Sequence, residues 1–412
     1  MAVSLKPLSQ QTIVITGASS GIGLATARRA AREGARVVLV ARNEDALAEA
    51  VESIRNKGGR ATHLAIDVTA ADASERIGEK AREAFGGFDA WVNDAAVALY
   101  APLLDTGLDE QRRAFDVGYF ATVAGSLYAA RELTARGGGA IVNVGSILSD
   151  RSVPLQGAYS AMKHAVQGFT EALRMELEAD GKPVSVTLIK PAAINTPYPE
   201  HARNRMDKPA RVPPVVYDPE LVAKAICFAV ANPKRDLTVG GTGMVMTKMS
   251  NLLPRSADRF MEAFFGEAAQ TIDTPAEPGA KDNLYQPRKD GRERSNQDIH
   301  VRKQSLALEA QMRPLTTLAI LGAVGAVAGM LLSLRGSTPR KAAPKLLPAP
   351  EPKAHQAGGS DSSASFAAAI ADENTIPEPS GIVSTVAGER FSEKPIGSPI
   401  APNAADITVA TA

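Results

Sequence analysis

The chain has 412 residues, is 44% hydrophobic and 22% charged, and carries a formal net charge of +1. That balance excludes a general electrostatic pull toward nucleic acid or acidic partners. A single cysteine, Cys227 in the apolar run Ala225–Val230, excludes an intramolecular disulfide and fits a reducing compartment. His63, His164, His201, His300 and His355 are scattered, with no metal-site spacing, so no metal is expected.

The amino terminus, Met1–Gly17, has no apolar stretch long enough for a signal peptide, so the folded part is expected in the cytoplasm. Thr12–Thr16 is a short β-branched run that predicts a strand, followed by a glycine loop and a helical pattern. Further strands are predicted at Arg36–Ala41, His63–Val68, Phe88–Asn93, Gly139–Val144, Val184–Ile189 and Asp236–Gly241. Helices are predicted between them, at Asp72–Phe85, Gln111–Arg136, Ala158–Asp180 and Pro219–Ala231. Strands alternating with long helices imply a doubly wound α/β fold, a parallel sheet of Rossmann type covered on both faces.

The loop Thr16–Gly23 reads TGASSGIG and opens the first helix. Gly17 permits a tight turn, and Gly21 and Gly23 allow a pyrophosphate to approach the backbone. Ser19, Ser20 and Ile22 complete the loop, and the helix amino terminus presents donors to phosphate. A glycine-rich turn without a ligand is the bland alternative; the strand–loop–helix context favours nucleotide binding. After the second strand Ala41 stands where an acid would bind the ribose of NAD, and Arg42 follows, which points to NADP(H).

Ser146, Tyr159 and Lys163 form the chemical signal. Tyr159 and Lys163 are four residues apart and share a helix face. An ammonium beside a phenol is expected to lower its pKa, making tyrosine an acid or base near neutrality. Ser146 would hold the substrate oxygen. With the glycine loop, Asp67-Val68 and Tyr159-x-x-x-Lys163, residues 8–250 resemble the short-chain dehydrogenase/reductase family, in a bacterial NADP-dependent type with a C-terminal extension. The resemblance implies a sheet of about seven strands and an adenine contact from Asp67 and Val68. It also implies that Asn93 and Ala95 line the cofactor cleft, that Thr196 meets the carboxamide, that Lys163 holds the ribose, and that the protein is a dimer or tetramer.

Three departures from that family stand out. Asn93–Ala96 reads NDAA for NNAG; Gly118 replaces an asparagine that completes a proton relay, so that water or Tyr119 substitutes for it or turnover is slow; and Ala192-Ala193 follows Pro191 where glycine is usual. Substrate contacts are expected in Tyr100–Leu104 and Tyr198–Val216.

Beyond residue 255 the character changes. Residues 256–312 read as a polar extension or linker. Leu315–Leu334 is a charge-free run of about the 20 residues that span a membrane, with Gly325 and Gly329 as a small-xxx-small pair, within a candidate transmembrane helix 313–335. A helix docking on the enzyme or a partner is the alternative. Arg302, Lys303, Arg335, Arg340 and Lys341 flank it on both sides and leave orientation open. Residues 336–412 hold ten prolines and two aromatics, Phe366 and Phe391, and predict a disordered tail. The expectation is an NADP(H)-dependent enzyme of residues 1–255 interconverting a carbonyl and a secondary alcohol, acting in the cytoplasm on a small lipophilic molecule and tethered to the membrane. The alternatives are an untethered cytoplasmic enzyme and a membrane-anchored NADP-binding scaffold or regulatory protein with little turnover.

Overall fold

The apolar runs of the first 240 residues become the strands of one parallel sheet. The computed structural model describes residues 3–275, 281–288, 291–319 and 322. Among these the main sheet holds β1 (Thr12–Thr16), β2 (Arg36–Ala41), β3 (Arg60–Ala65), β4 (Ala90–Asn93), β6 (Gly139–Val144), β7 (Val184–Pro191) and β10 (Asp236–Val239), in the order β10-β7-β6-β4-β1-β2-β3. Two-residue strands β5 (Leu99–Tyr100), β8 (Arg203–Asn204), β9 (Val216–Tyr217) and β11 (Val301–Arg302) pair outside it, β5 with β8 and β9 with β11.

Alternation within each strand builds two cores. Ile13 and Ile15 of β1, with Val37 and Leu39 of β2, pack on α1 (Gly21–Arg32), α2 (Glu44–Arg55) and α8 (Pro219–Ala231). Val14, Val38, Val40 and Trp91 face the other way, onto α3 (Ala73–Phe85), α5 (Ala121–Ala135) and α6 (Gly157–Ala179). Both faces are buried, which is why the strands read as continuous apolar runs. The order reverses between β1 and β4, and a crevice opens at the carboxyl ends of those strands, where open α/β sheets take ligands.

Several boundaries differ from expectation by a residue or two, and two differences bear on the site. β3 starts three residues earlier than His63. It pairs Arg36↔Arg60 through Ala41↔Ala65, so the end of β2 ends the ladder. Ile66, Asp67 and Val68 are thereby released to line the crevice. The expected helix Gln111–Arg136 is α4 (Leu108–Phe115), a π-helical turn at Asp116–Phe120, and α5.

Described residues of 256–312 pack on the α/β region through Met261, Leu284, Leu308 and Met312. The short α7 (Tyr198–His201) and α9 (Gly241–Leu252) precede this stretch in the chain, α10 (Pro254–Phe264) leads into it, and α11 (Glu267–Gln270) lies within it. Farther on, α12 (Leu306–Met312) buries Leu308 and Met312 in the core beside α8. The Gln311 side chain accepts from Thr238 N and donates to Thr238 O, both at 2.9 Å. It thus satisfies backbone groups on the sheet's edge strand.

No helix among the described residues is long and apolar enough to cross a membrane. The expected span Leu315–Leu334 lies outside the described residues except for 315–319 and 322, and the tail 336–412 lies wholly outside them.

Candidate active site

β1 delivers the chain into the glycine loop. Gly17 has φ +71°, and a Cβ there would lie 2.9 Å from Ala95 N. A Cβ on Gly23 would lie 2.5 Å from Gly17 O, so the loop folds tightly back on the start of α1. Thr16 Oγ1 accepts from Asp94 N at 3.1 Å and Ala95 N at 3.2 Å, tying this loop to the one after β4. Ser20 is the N-cap of α1 in extended conformation, yet its hydroxyl makes no cap bond.

Arg42 follows β2 and donates to Asn283 O at 2.5 Å and Tyr285 O at 3.0 Å. Asp67 accepts from Thr69 N, Thr69 Oγ1 and Arg113 Nη2, the last at 2.6 Å. Burial pushes its carboxyl up, but these donors outweigh burial and hold it below the usual carboxylate range.

At the other end, β6 stops at Val144 and Ser146 caps a single 3₁₀ turn. Ser146 Oγ accepts from Leu148 N at 3.0 Å, while Ser149 Oγ accepts from Ser146 N at 3.1 Å. The serine oxygen is thus fixed in place as an acceptor, and its own proton remains to be donated. α6 carries Tyr159 and Lys163 one turn apart. Lys163 Nζ donates to Val144 O at 2.6 Å and stands 5.7 Å from the centre of the Tyr159 ring.

Burial pushes the Tyr159 phenol up to about 12; the hydroxyls of Ser146 and Tyr198 pull the other way. This is opposite in direction to the expected effect of a neighbouring ammonium. Burial also lowers Lys163, opposed by the Asp94 carboxylate. Asp94 itself is raised by burial, opposed by Lys163 and the Gly23 N–H. The three groups share one poorly hydrated site, so each resists its charged form.

A cavity of about 480 Å3 joins the two ends. Of the expected residues, Gly17, Ser19, Ser20, Gly21, Ile22, Arg42, Asp67, Val68, Ala95, Ser146, Tyr159, Lys163 and Thr196 line it. Gly23 and Asn93 do not. Gly23 lies behind the loop, where its missing side chain permits the close packing. Asn93 turns into the protein interior. There its amide accepts from Trp91 Nε1 at 2.8 Å and donates to Ser126 Oγ at 3.0 Å and Asn143 Oδ1 at 2.8 Å. The expected cleft contact of Asn93 is therefore replaced by a buried network that joins β4, β6 and α5.

The expected substrate segments place Tyr100, Tyr198, Val212 and Val215 on the cavity wall, whereas Leu148, Val153, Met246, Phe260 and Phe265 are residues that sequence reasoning missed. Tyr198 stacks edge-on to Tyr159 at 5.4 Å and to Tyr100 at 6.1 Å. Leu148, Val153, Val212, Met246, Phe260 and Phe265 line the cavity beyond Ser146. Val215, also on this wall, has φ +69°, a strained conformation for a β-branched residue and one that clusters at functional sites.

Gly118 lies in the π-helical turn, another feature frequent at functional sites. A Cβ there would come within 2.0 Å of Met162 Sδ. The methionine occupies the space that an asparagine side chain at 118 would need.

The family model described as short chain dehydrogenase matches residues 11–207. The uncharacterized oxidoreductase YxnA of Bacillus subtilis (strain 168) is 41% identical over 321 residues, 77% of this chain and 90% of that protein. A match of that length exceeds residues 1–255 and takes in part of the extension. The structure of L-sorbose reductase from Gluconobacter frateurii, complexed with NADPH and L-sorbose, aligns at 27% identity with a TM-score of 0.50. It covers 58% of this chain and 98% of its own. A short chain dehydrogenase/reductase from Burkholderia phymatum in complex with NAD has a TM-score of 0.56 over 66% of this chain and 99% of that one. At 24% identity it speaks to the fold alone.

Proposed function

The chain belongs to the short chain dehydrogenase family, and from that premise we propose that it is an NADP(H)-dependent oxidoreductase interconverting a carbonyl and a secondary alcohol on a lipophilic substrate. The observation that carries this reading is the meeting of Ser146, Tyr159 and Lys163 with the glycine loop and Arg42 in one cavity.

The residues fit a dinucleotide phosphate. The Ser20 hydroxyl is not spent on its helix. The Ile22 N–H belongs to the first turn of α1, whose donors the helix cannot itself use. Arg42 brings a guanidinium to the end of β2, where a 2′-phosphate distinguishes NADP from NAD. Thr196 and Lys163 border the nicotinamide end. When bound, the cofactor supplies a hydride to the carbonyl carbon or accepts one from the alcohol.

The chain's own groups handle the oxygen. In reduction the Tyr159 O–H donates its proton to the carbonyl oxygen; in oxidation the phenolate takes it back. Burial keeps the phenol protonated, the form that reduction requires. Ser146 donates a hydrogen bond to the same oxygen and stabilises its developing charge. Lys163, anchored on Val144 O, keeps two further N–H donors for the ribose and the phenol side. The apolar wall from Leu148 to Phe265 supports a lipophilic substrate, since burying such surface stabilises by about 25 cal/mol per Å2. Homo-oligomer formation rests on the family. Tethering through Leu315–Leu334 and a cytoplasmic enzyme region rest on the sequence alone.

Titration of the full chain with NADPH and NADH, followed by NADPH consumption against apolar ketones, tests the reading. Preference for NADPH with turnover of an apolar ketone is expected. Tight NADPH binding without turnover across such a panel would favour a binding protein.

A further inference from the structure

Two stretches of the extension, residues 281–288 and 291–297, cross the crevice at its nucleotide end. They meet it largely through main-chain carbonyls. Asn283 O and Tyr285 O accept from the two Nη atoms of Arg42. Arg288 O accepts from Asn43 Nδ2 at 2.5 Å, and Arg292 O accepts from the Gly21 N–H at 2.8 Å. A Cβ on Gly291 would lie 3.4 Å from Ala46 Cβ and 3.7 Å from Ser19 O, so this backbone rests directly on the glycine loop. Asn283, Pro287 and Arg288 line the cavity together with Ser19, Ser20 and Arg42.

The strap is fastened on both sides of the crevice. On one side Leu284 is fully buried among Val97, Leu99, Ala114 and Val117, and Asp282 pairs with Arg203 at 2.7 Å. On the other, Arg294 holds Asp218 through two bonds of 2.9 and 3.1 Å, and Glu293 pairs with Arg28 at 2.7 Å. Ser295 Oγ donates to Asn195 Oδ1 at 2.6 Å.

We propose that residues 281–288 and 291–297 form a wall of the NADP(H) site that positions Arg42 for the 2′-phosphate and slows nucleotide release. This rests on the NADP(H) reading above. The chemistry of the contacts supports it. The groups bonded to the guanidinium are neutral carbonyls that do not cancel its charge, and the nearby Asp67 carboxylate, which would compete with a phosphate, is bonded to Arg113 instead. Two carbonyls use only part of the five-donor fork. A wall over the adenosine half also turns an open crevice into a channel, so the nucleotide leaves only when the wall lifts.

The test uses the full chain and its Glu293→Ala/Arg294→Ala variant, which loosens the wall at residues that do not line the cavity. NADPH dissociation is followed by nicotinamide fluorescence after mixing with excess NADP+. The dissociation rate is expected to rise at least tenfold in the variant, with the association rate changed by less than threefold. An unchanged dissociation rate would overturn the proposal, as would tighter NADPH binding, which would make the strap a competitor. Should the variant not fold, hydrogen exchange of the wild-type chain decides: amides of 281–288 are expected to slow on NADPH binding, and no slowing overturns the proposal. A wild-type chain that binds neither NADPH nor NADH would overturn the NADP(H) reading as well, whereas tight binding with no effect on the strap would overturn this inference alone.

Discussion

The glycine loop and the strap meet the same end of the crevice from opposite parts of the chain, by different means. The loop works through special residues. Gly17 adopts φ +71°, and Gly23 leaves room for Gly17 O within 2.5 Å of where a Cβ would sit. The strap works through carbonyls, which every residue carries, and is positioned by distant anchors such as Leu284 and Arg294. A binding site can thus be half local motif and half tertiary packing, and only the first half has a side-chain signature.

Arg42 is the joint between the two regions, so its removal gives the largest effect on this comparison. Arg42→Ala should weaken NADPH about ten- to a hundredfold, because a hydrogen bond to a charged group contributes about 1.5–3 kcal/mol. NADH affinity should change by less than about threefold. Parallel titrations of both nucleotides check this, and equal weakening of both would mean that Arg42 acts through the strap alone.

A smaller effect is expected inside the Rossmann region, away from the strap. Gly118→Asn forces a side chain into the place of Met162 and should cost about 1–3 kcal/mol of stability, as overpacking does. Adding Met162→Ala should restore part of it. Urea denaturation of the single and double variants measures both. An unchanged midpoint in Gly118→Asn would show that the π-helical turn relaxes to admit the side chain.

The same contrast explains what could be read from the amino acids. Alternating strands and helices, the TGASSGIG loop and the Tyr159–Lys163 spacing are local patterns, and the sheet and the glycine-loop and Tyr159–Lys163 ends of the cavity follow from them. The β3 boundary was displaced because the end of its partner, not its own composition, stops the ladder. An asparagine at the end of a strand serves equally in a cleft or in a buried network, and only the positions of Trp91 and Asn143 assign Asn93 to the second. Gly118 could be recognised as unusual, but its partner Met162 lies on another helix. The extension, polar and without periodicity, has no pattern from which a wall over the nucleotide end could be foreseen.

The central claim is that Tyr159 moves the proton in a site that binds NADP(H) independently of it. The most direct measurement compares kcat and the NADPH dissociation constant of Tyr159→Phe with those of the wild-type chain on the same ketone. The account predicts that kcat falls by about 10²–10⁴-fold, the range for a positioned acid, while the dissociation constant stays within about twofold. Turnover retained near the wild-type level would contradict it.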